Sequence, residues 1–173
     1  IPTKTMLYSA KIADNAAHGQ KYGVISDGIK LDHQTVLKRK EKVVRSLVMG
    51  VKAKLRNNNV TLIEDIVEIT GKNNEGFAVK AGEEIFTAKK LIIATGSVPV
   101  IPPIPGVKEG LGSGSVLTNR EIINLPEIPA SLVVVGGGII GLEMASYFNS
   151  AGSKVTIIEM LDHIAGNTDR EIA

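Results

Sequence analysis

The chain has no cysteine and no tryptophan. Without a thiol, its 173 residues offer no disulfide, no thiolate metal site and no cysteine nucleophile. Three Tyr and three Phe are the whole aromatic complement, too few for a platform on which nucleotide bases stack. Neither sign of charge dominates. Twenty basic against 18 acidic side chains give a net charge of +2, so nothing points to nucleic acid or an acidic membrane surface as partner. No apolar run reaches the roughly 20 residues that cross a bilayer, and the opening residues lack the pattern of a signal peptide. His18, His33 and His163 lie far apart without ligand spacing, so no metal site is expected and each reads as a surface or helix-end histidine.

What is present is the composition of a globular protein, 43% hydrophobic and 22% charged, at a length that suits one ordinary domain or two small ones. Residues 2–17 read as a helix: Pro2 suits its first turn, Met6, Leu7, Ala13, Ala16 and Ala17 form a stripe, and Gly19 ends it. "YGVI" reads as a short strand. Asp32 is placed to cap a long helix in which Val36, Leu37, Val43, Val44, Leu47, Val48, Val51 and Leu55 keep a helical period, stopped by "NNN" at 57–59. Its basic run "KRKEKVVR", 38–45, reads as a solvated face. "VTLIEDIVEIT", "GFAVKAG" and "EEIFTAKK" then change the period to that of a small antiparallel sheet. "KLIIATG", 90–96, has the continuous apolar character of a parallel strand buried on both faces. The proline-rich connector at 97–106 continues neither sheet nor helix and marks a domain boundary, which divides the chain into 1–113 and 114–173. A short helix at "NREIINL", a strand at 132–135, a helix from about 138 to 151 and a strand at 154–159 complete the pattern.

The last three elements surround "GGGIIG", in which Gly136, Gly138 and Gly141 fill a G-x-G-x-x-G spacing. The chemistry behind that spacing is specific. Gly136 permits the turn out of the strand, Gly138 lets a pyrophosphate approach the backbone, and Gly141 lets helix pack closely on sheet. The N–H groups at the helix start then face the phosphates. Three glycines alone mark any sharp turn, but here a strand precedes, a helix follows, and the second strand ends in Glu159, 23 positions past Gly136. A carboxylate there accepts hydrogen bonds from the two hydroxyls of an adenosine ribose and repels a 2′-phosphate, which favours NAD over NADP. The plainer reading of Glu159 is a polar residue at a strand end. The glycines do not decide between NAD and FAD.

"IPTKTML", "LIIATGSVPVIPPIPG" and "LVVVGGGIIGLEMASYFNSAGSKVTIIE" stand in the order and spacing found in flavin-dependent disulfide oxidoreductases. The resemblance covers essentially the whole chain and is greatest to the members that oxidise protein-bound dihydrolipoamide. It implies an α/β fold: a partial FAD domain of helices, small antiparallel sheet and parallel strand, joined to the first βαβ of a Rossmann-type NAD domain. In that family "IPTK" follows directly on the second cysteine of a redox C-x-x-x-x-C pair. The resemblance therefore implies a cysteine immediately before Ile1 and another five positions earlier. It places those cysteines, the loop for the ADP half of FAD and the His–Glu catalytic base outside these 173 residues, so that no catalytic residue lies within them and the chain alone is inactive. The resemblance also implies that Lys4 lies beside the flavin, that Thr95, Gly96 and Ser97 line FAD, and that Gly136, Gly137, Gly138, Ile139, Ile140 and Gly141 hold the NAD pyrophosphate. It further implies that Glu143 pairs with Lys4 near nicotinamide and flavin, and that Glu159 meets the ribose. The implied partners are lipoyl domains of a 2-oxo acid dehydrogenase or glycine cleavage complex, in a homodimer of the cytoplasm or mitochondrial matrix. One departure is the segment Glu64-Asp65-Ile66-Val67, where many relatives carry glycines. Rival readings are a sibling glutathione, mercuric or coenzyme A disulfide reductase, and a non-catalytic NAD-binding module. The neutral-to-acidic "EMLDHIAG" speaks against the NADPH users among the former, and "IPTK" with "ATG" against the latter.

If the FAD domain is incomplete, "KLIIATG" is expected to lack sheet neighbours, and Ile1, Met6 and Leu7 to lack cover.

Overall fold

The computed structural model describes residues 1–166, 168–169 and 171, which include every candidate site residue. It divides into two compact units, residues 1–47 with 99–173, and residues 48–98. These limits follow contacts, and they differ from the division at 113/114 drawn from the proline-rich connector.

The first unit is built on helices. Helix α1, Pro2–Ala17, starts on a proline whose fixed φ suits a first turn, and it buries Thr5, Met6 and Ala10 along one face. Met6 is fully buried, although Ile1 is exposed; the apolar stripe of α1 finds its cover within this chain. Helix α2, His33–Asn57, of which residues 33–47 belong to this unit, opens at Asp32, whose carboxylate accepts from the Thr35 N–H at 3.2 Å and the Thr35 hydroxyl at 2.6 Å. Two short helices follow the proline-rich stretch: α3, Val107–Ser113, which the sequence reading did not anticipate, and α4, Asn119–Ile122, begun by a Thr118/Glu121 capping box.

Strand β4, Ser131–Val135, helix α5, Ile139–Ser150, and strand β5, Lys154–Ile158, close the unit in βαβ order with the strands paired in parallel, Ser131 opposite Lys154 through Val135 opposite Ile158. Met6, Ala10, Val36, Leu37, Ile122, Met144, Tyr147 and Phe148 form one core, drawn from α1, α2, α4 and α5. Polar groups are folded into it. His33, a helix-end residue but a buried one, joins its Nδ1 to the Tyr147 hydroxyl at 2.7 Å and its Nε2 to the Leu125 carbonyl at 2.8 Å. Lys40, expected on a solvated face, is 3% exposed and donates to the Ile123 carbonyl at 2.7 Å and Asn124 Oδ1 at 2.6 Å. Burial holds its ammonium below the usual lysine range.

In the second unit, β1, Val67–Asn73, β2, Gly76–Ala81, and β3, Glu84–Ala88, form an antiparallel meander in that order. A register shift between Ile69 and Gly71 interrupts the first ladder. Two expected strands are not formed. "YGVI" is replaced by a 3₁₀ turn at Gly19–Tyr22, closed by Gly23 at φ +78°. "KLIIATG" is irregular, with Ile92 and Ile93 exposed. A strand of that kind draws its hydrogen bonds from both neighbours, and no strand among the described residues pairs with it. The α/β class stands; its third parallel strand does not.

Candidate functional site

The turn from β4 into α5 is fixed by its glycines. The Gly136 N–H still donates to the Ile158 carbonyl, at 2.8 Å, so the ladder persists to the last residue before the loop. The chain then turns at φ +107°, a conformation that L side chains disfavour. A Cβ at Gly141 would meet the Gly136 carbonyl oxygen at 2.3 Å and Val134 Cγ1 at 3.2 Å, so helix and loop touch only because this residue has no side chain. Gly138 is the opposite case: a Cβ there meets nothing within 4 Å, and its extended backbone precedes α5 without a side-chain cap. The N-terminal N–H groups of α5, from Ile139, Ile140 and Gly141, are thus left to a ligand or solvent, with the positive end of the helix dipole behind them. Ile139 and Ile140 are exposed. Open space at Gly138, close packing at Gly141 and an uncapped helix start are the features that accommodate a pyrophosphate.

Glu159, just past β5, lies on this loop. Its Oε2 accepts from the Gly137 N–H at 2.7 Å, and its Oε1 from the N–H groups of Met160 and Leu161 at 2.7 and 2.8 Å. The backbone N–H groups of Leu161 and Gly137, in that order, hold the carboxyl below its usual range. Three of about four acceptor positions of the carboxylate are therefore filled by backbone donors, and an acceptor position stays open at Oε2. Asp162 and His163 follow as an ion pair at 2.5 Å. Its hydrogen bond lowers the Asp162 carboxyl and raises the His163 imidazole.

Lys4, in the first turn of α1, and Glu143, in the first turns of α5, form an ion pair between Nζ and Oε1; the lysine side chain stays 75% exposed and the carboxylate only 20%. A cation at a helix N-terminus is disfavoured by the dipole, and Glu143 compensates it. Thr95, Gly96 and Ser97 belong to the other compact unit, in its exposed irregular segment. Gly96 there adopts φ +77°, and a Cβ at it meets nothing within 4 Å, which leaves space for a ligand. The structure thus brings Gly136–Gly141 together with Glu159, and Lys4 together with Glu143. Sequence reading passed over Ile164 and Ala165, which also reach the loop: the Ala165 N–H donates to the Gly137 carbonyl at 2.8 Å. No local pattern announces them. Among the described residues no cluster of His, Asp or Glu could hold a metal ion, and no helix is long and apolar enough to cross a membrane.

The family model of pyridine nucleotide-disulphide oxidoreductases matches residues 1–173. Dihydrolipoyl dehydrogenase of Acholeplasma laidlawii is 45% identical over 99% of this chain and 50% of its own length. The Mycoplasma genitalium protein of the same name is 38% identical over 100% of this chain and 37% of its own. Among solved structures, the Cu(II) complex of the HOCl-induced flavoprotein disulfide reductase RclA from Escherichia coli superposes with a TM-score of 0.76 at 30% identity, over 99% of this chain and 34% of that one. The chain therefore spans half the length, or less, of the proteins it matches.

Proposed function

The chain belongs to the pyridine nucleotide-disulphide oxidoreductase family, and from that premise we propose that its protein is an oxidoreductase that removes two electrons from protein-bound dihydrolipoamide and delivers them as hydride to NAD. Relatives named dihydrolipoyl dehydrogenase at 45% and 38% identity support the substrate class. The observation that carries the dinucleotide is the glycine loop with Glu159 seated on it. FAD, when bound, supplies the redox centre between dithiol and nicotinamide. Everything else is the work of side chains and backbone. Gly136, Gly137, Gly138, Ile139, Ile140 and Gly141 bind the pyrophosphate through loop and helix-start N–H groups, and Glu159 takes a ribose hydroxyl on Oε2. Lys4, held by Glu143, sets a positive charge beside the flavin. None of these residues supplies a redox sulfur; their work is to bind and to orient.

In domain terms, 1–113 is part of the FAD domain and 114–173 the first part of the NAD domain. The working form is a homodimer serving lipoyl domains of a 2-oxo acid dehydrogenase or glycine cleavage complex, in the cytoplasm or mitochondrial matrix. A second reading, a sibling reductase acting on another disulfide, has the likeness to the Escherichia coli flavoprotein in its favour.

The test is Glu159→Ala in the intact protein, with NADH and NADPH affinity measured by titration. NADH should weaken by roughly ten- to a hundred-fold and NADPH far less. Equal losses for both would mean that Glu159 only supports the loop. Because its pKa lies below the usual carboxylate range, Glu159 stays charged through neutral pH, and wild-type NADH binding should decline only as pH falls through that lowered value.

A further inference from the structure

One residue of the glycine loop is held at both its N–H and its carbonyl. The Gly137 N–H donates to Glu159 Oε2 at 2.7 Å, and the Gly137 carbonyl accepts from the Ala165 N–H at 2.8 Å. Above its Cα stands Ile164: a Cβ built at residue 137 meets Ile164 Cγ2 at 2.8 Å, Ile164 Cβ at 3.2 Å and Glu159 Oε2 at 3.3 Å. The backbone of Gly137 does not itself call for glycine, since it is not among the residues with positive φ. The demand comes from Ile164. Its branch at Cβ is stiff about χ1, so the methyl in the way does not swing clear cheaply.

The segment that does the gripping is itself held. Ala165 adopts φ +65°, a left-handed conformation that an alanine keeps only where its surroundings enforce it. Its carbonyl accepts from the Thr168 hydroxyl at 2.6 Å, and the His163 ring contacts the Gly166 carbonyl at 3.0 Å through Nε2 and Asp162 at 2.5 Å through Nδ1. Strain of this kind next to a ligand loop is a cost with a purpose when it fixes the loop's shape.

We propose that Ile164 and Ala165 are positioning residues that, with Glu159, clasp Gly137 on both sides of its Cα and hold the glycine loop in the shape that receives the dinucleotide pyrophosphate. The proposal rests on the NAD reading of the loop and adds a coupling to it. Glu159 touches both the ribose position and Gly137, so occupation of the ribose position is felt at the pyrophosphate loop through one carboxylate oxygen.

The experiment is a set of variants of the intact protein, read by NADH titration, by kcat and KM, and by thermal unfolding. Gly137→Ala should raise the NADH Kd and KM by about ten-fold while kcat at saturation changes little. Ile164→Leu moves the branch from Cβ to Cγ and keeps the bulk, so Gly137→Ala with Ile164→Leu should recover most of that loss; Gly137→Ala with Ile164→Ala should recover it as well. Ile164→Ala alone should weaken NADH by a few-fold. A Gly137→Ala variant of unchanged affinity, or losses that multiply in the double variants instead of cancelling, would overturn the clasp. If Gly137→Ala does not fold, recovery of folding and of affinity in the double variant still decides. Wild-type protein that binds no NADH would sink the NAD reading itself, whereas normal wild-type binding with uncoupled variants sinks only the clasp.

Discussion

Three buried polar side chains do work that no spacing in the sequence advertises. The Nε2 of His33 meets a carbonyl, which can only accept, so that nitrogen carries the proton; in the neutral ring Nδ1 then accepts from the Tyr147 hydroxyl. Burial pushes the Tyr147 phenol up to about 12, and the hydroxyl keeps its proton throughout the range in which the protein works. Tyr147→Phe keeps the fully buried ring and removes only the donor. It should lower unfolding stability by about 1–3 kcal/mol, the cost of leaving a buried acceptor unpaired, as measured by chemical denaturation of the intact protein. A loss of a few tenths would show that water or a ring flip replaces the hydroxyl. Lys40 teaches the same lesson about legibility. Nothing local distinguishes it from Lys38 or Lys42, and its burial is decided by carbonyl groups more than eighty positions away. By contrast Glu159 was legible, because strand, glycine loop and offset locate it together. Its three backbone donors were not, since they depend on how residues after β5 turn back.

Elements whose partners lie close in the chain were the ones that sequence placed well. Helices α1 and α2, strands β2 and β3 and the β4–α5–β5 unit all answer to local period, caps and turns, and each appears within a few residues of its expected position, whereas β1 starts at Val67, well inside the apolar run that opens at Val60. The segment 90–96 is the counter-example: its apolar run fits a central strand, but a strand forms only against neighbours. The ion pair between α1 and α5 is a property of elements, not of either residue, because it places the starts of two helices side by side. Read as part of the flavin environment, it makes a definite prediction. In the intact protein Lys4→Met and Glu143→Gln should each slow hydride transfer between flavin and NAD by roughly ten-fold and shift the flavin absorption. Stopped-flow spectra and rates that match the wild type would leave the pair as a tie between helices only.

At the scale of the whole molecule, apolar surface is the dominant fact. Val133, Val135 and Ile158 line one uncovered face of the parallel pair, and Ile92 and Ile93 stand exposed in the other compact unit. Soluble monomers rarely leave such surfaces open. A polypeptide of these 173 residues alone is expected to self-associate and to carry no flavin, which sedimentation and visible absorption would check. A colourless solution of strict monomers would mean that the exposed faces are tolerated; a yellow monomer would mean that the residues present suffice for FAD.

The core that joins α1 to α5 has a consequence for the way the protein is born. Met6 and Ala10 are covered by Met144, Tyr147 and Phe148, and these emerge from the ribosome after well over a hundred further residues have been added. At about 5–20 residues per second, α1 waits on the order of ten seconds for its cover. In that interval the β1–β3 meander, whose contacts are all local, can already close. The stripe of α1 cannot, and it stays open until α5 has been made.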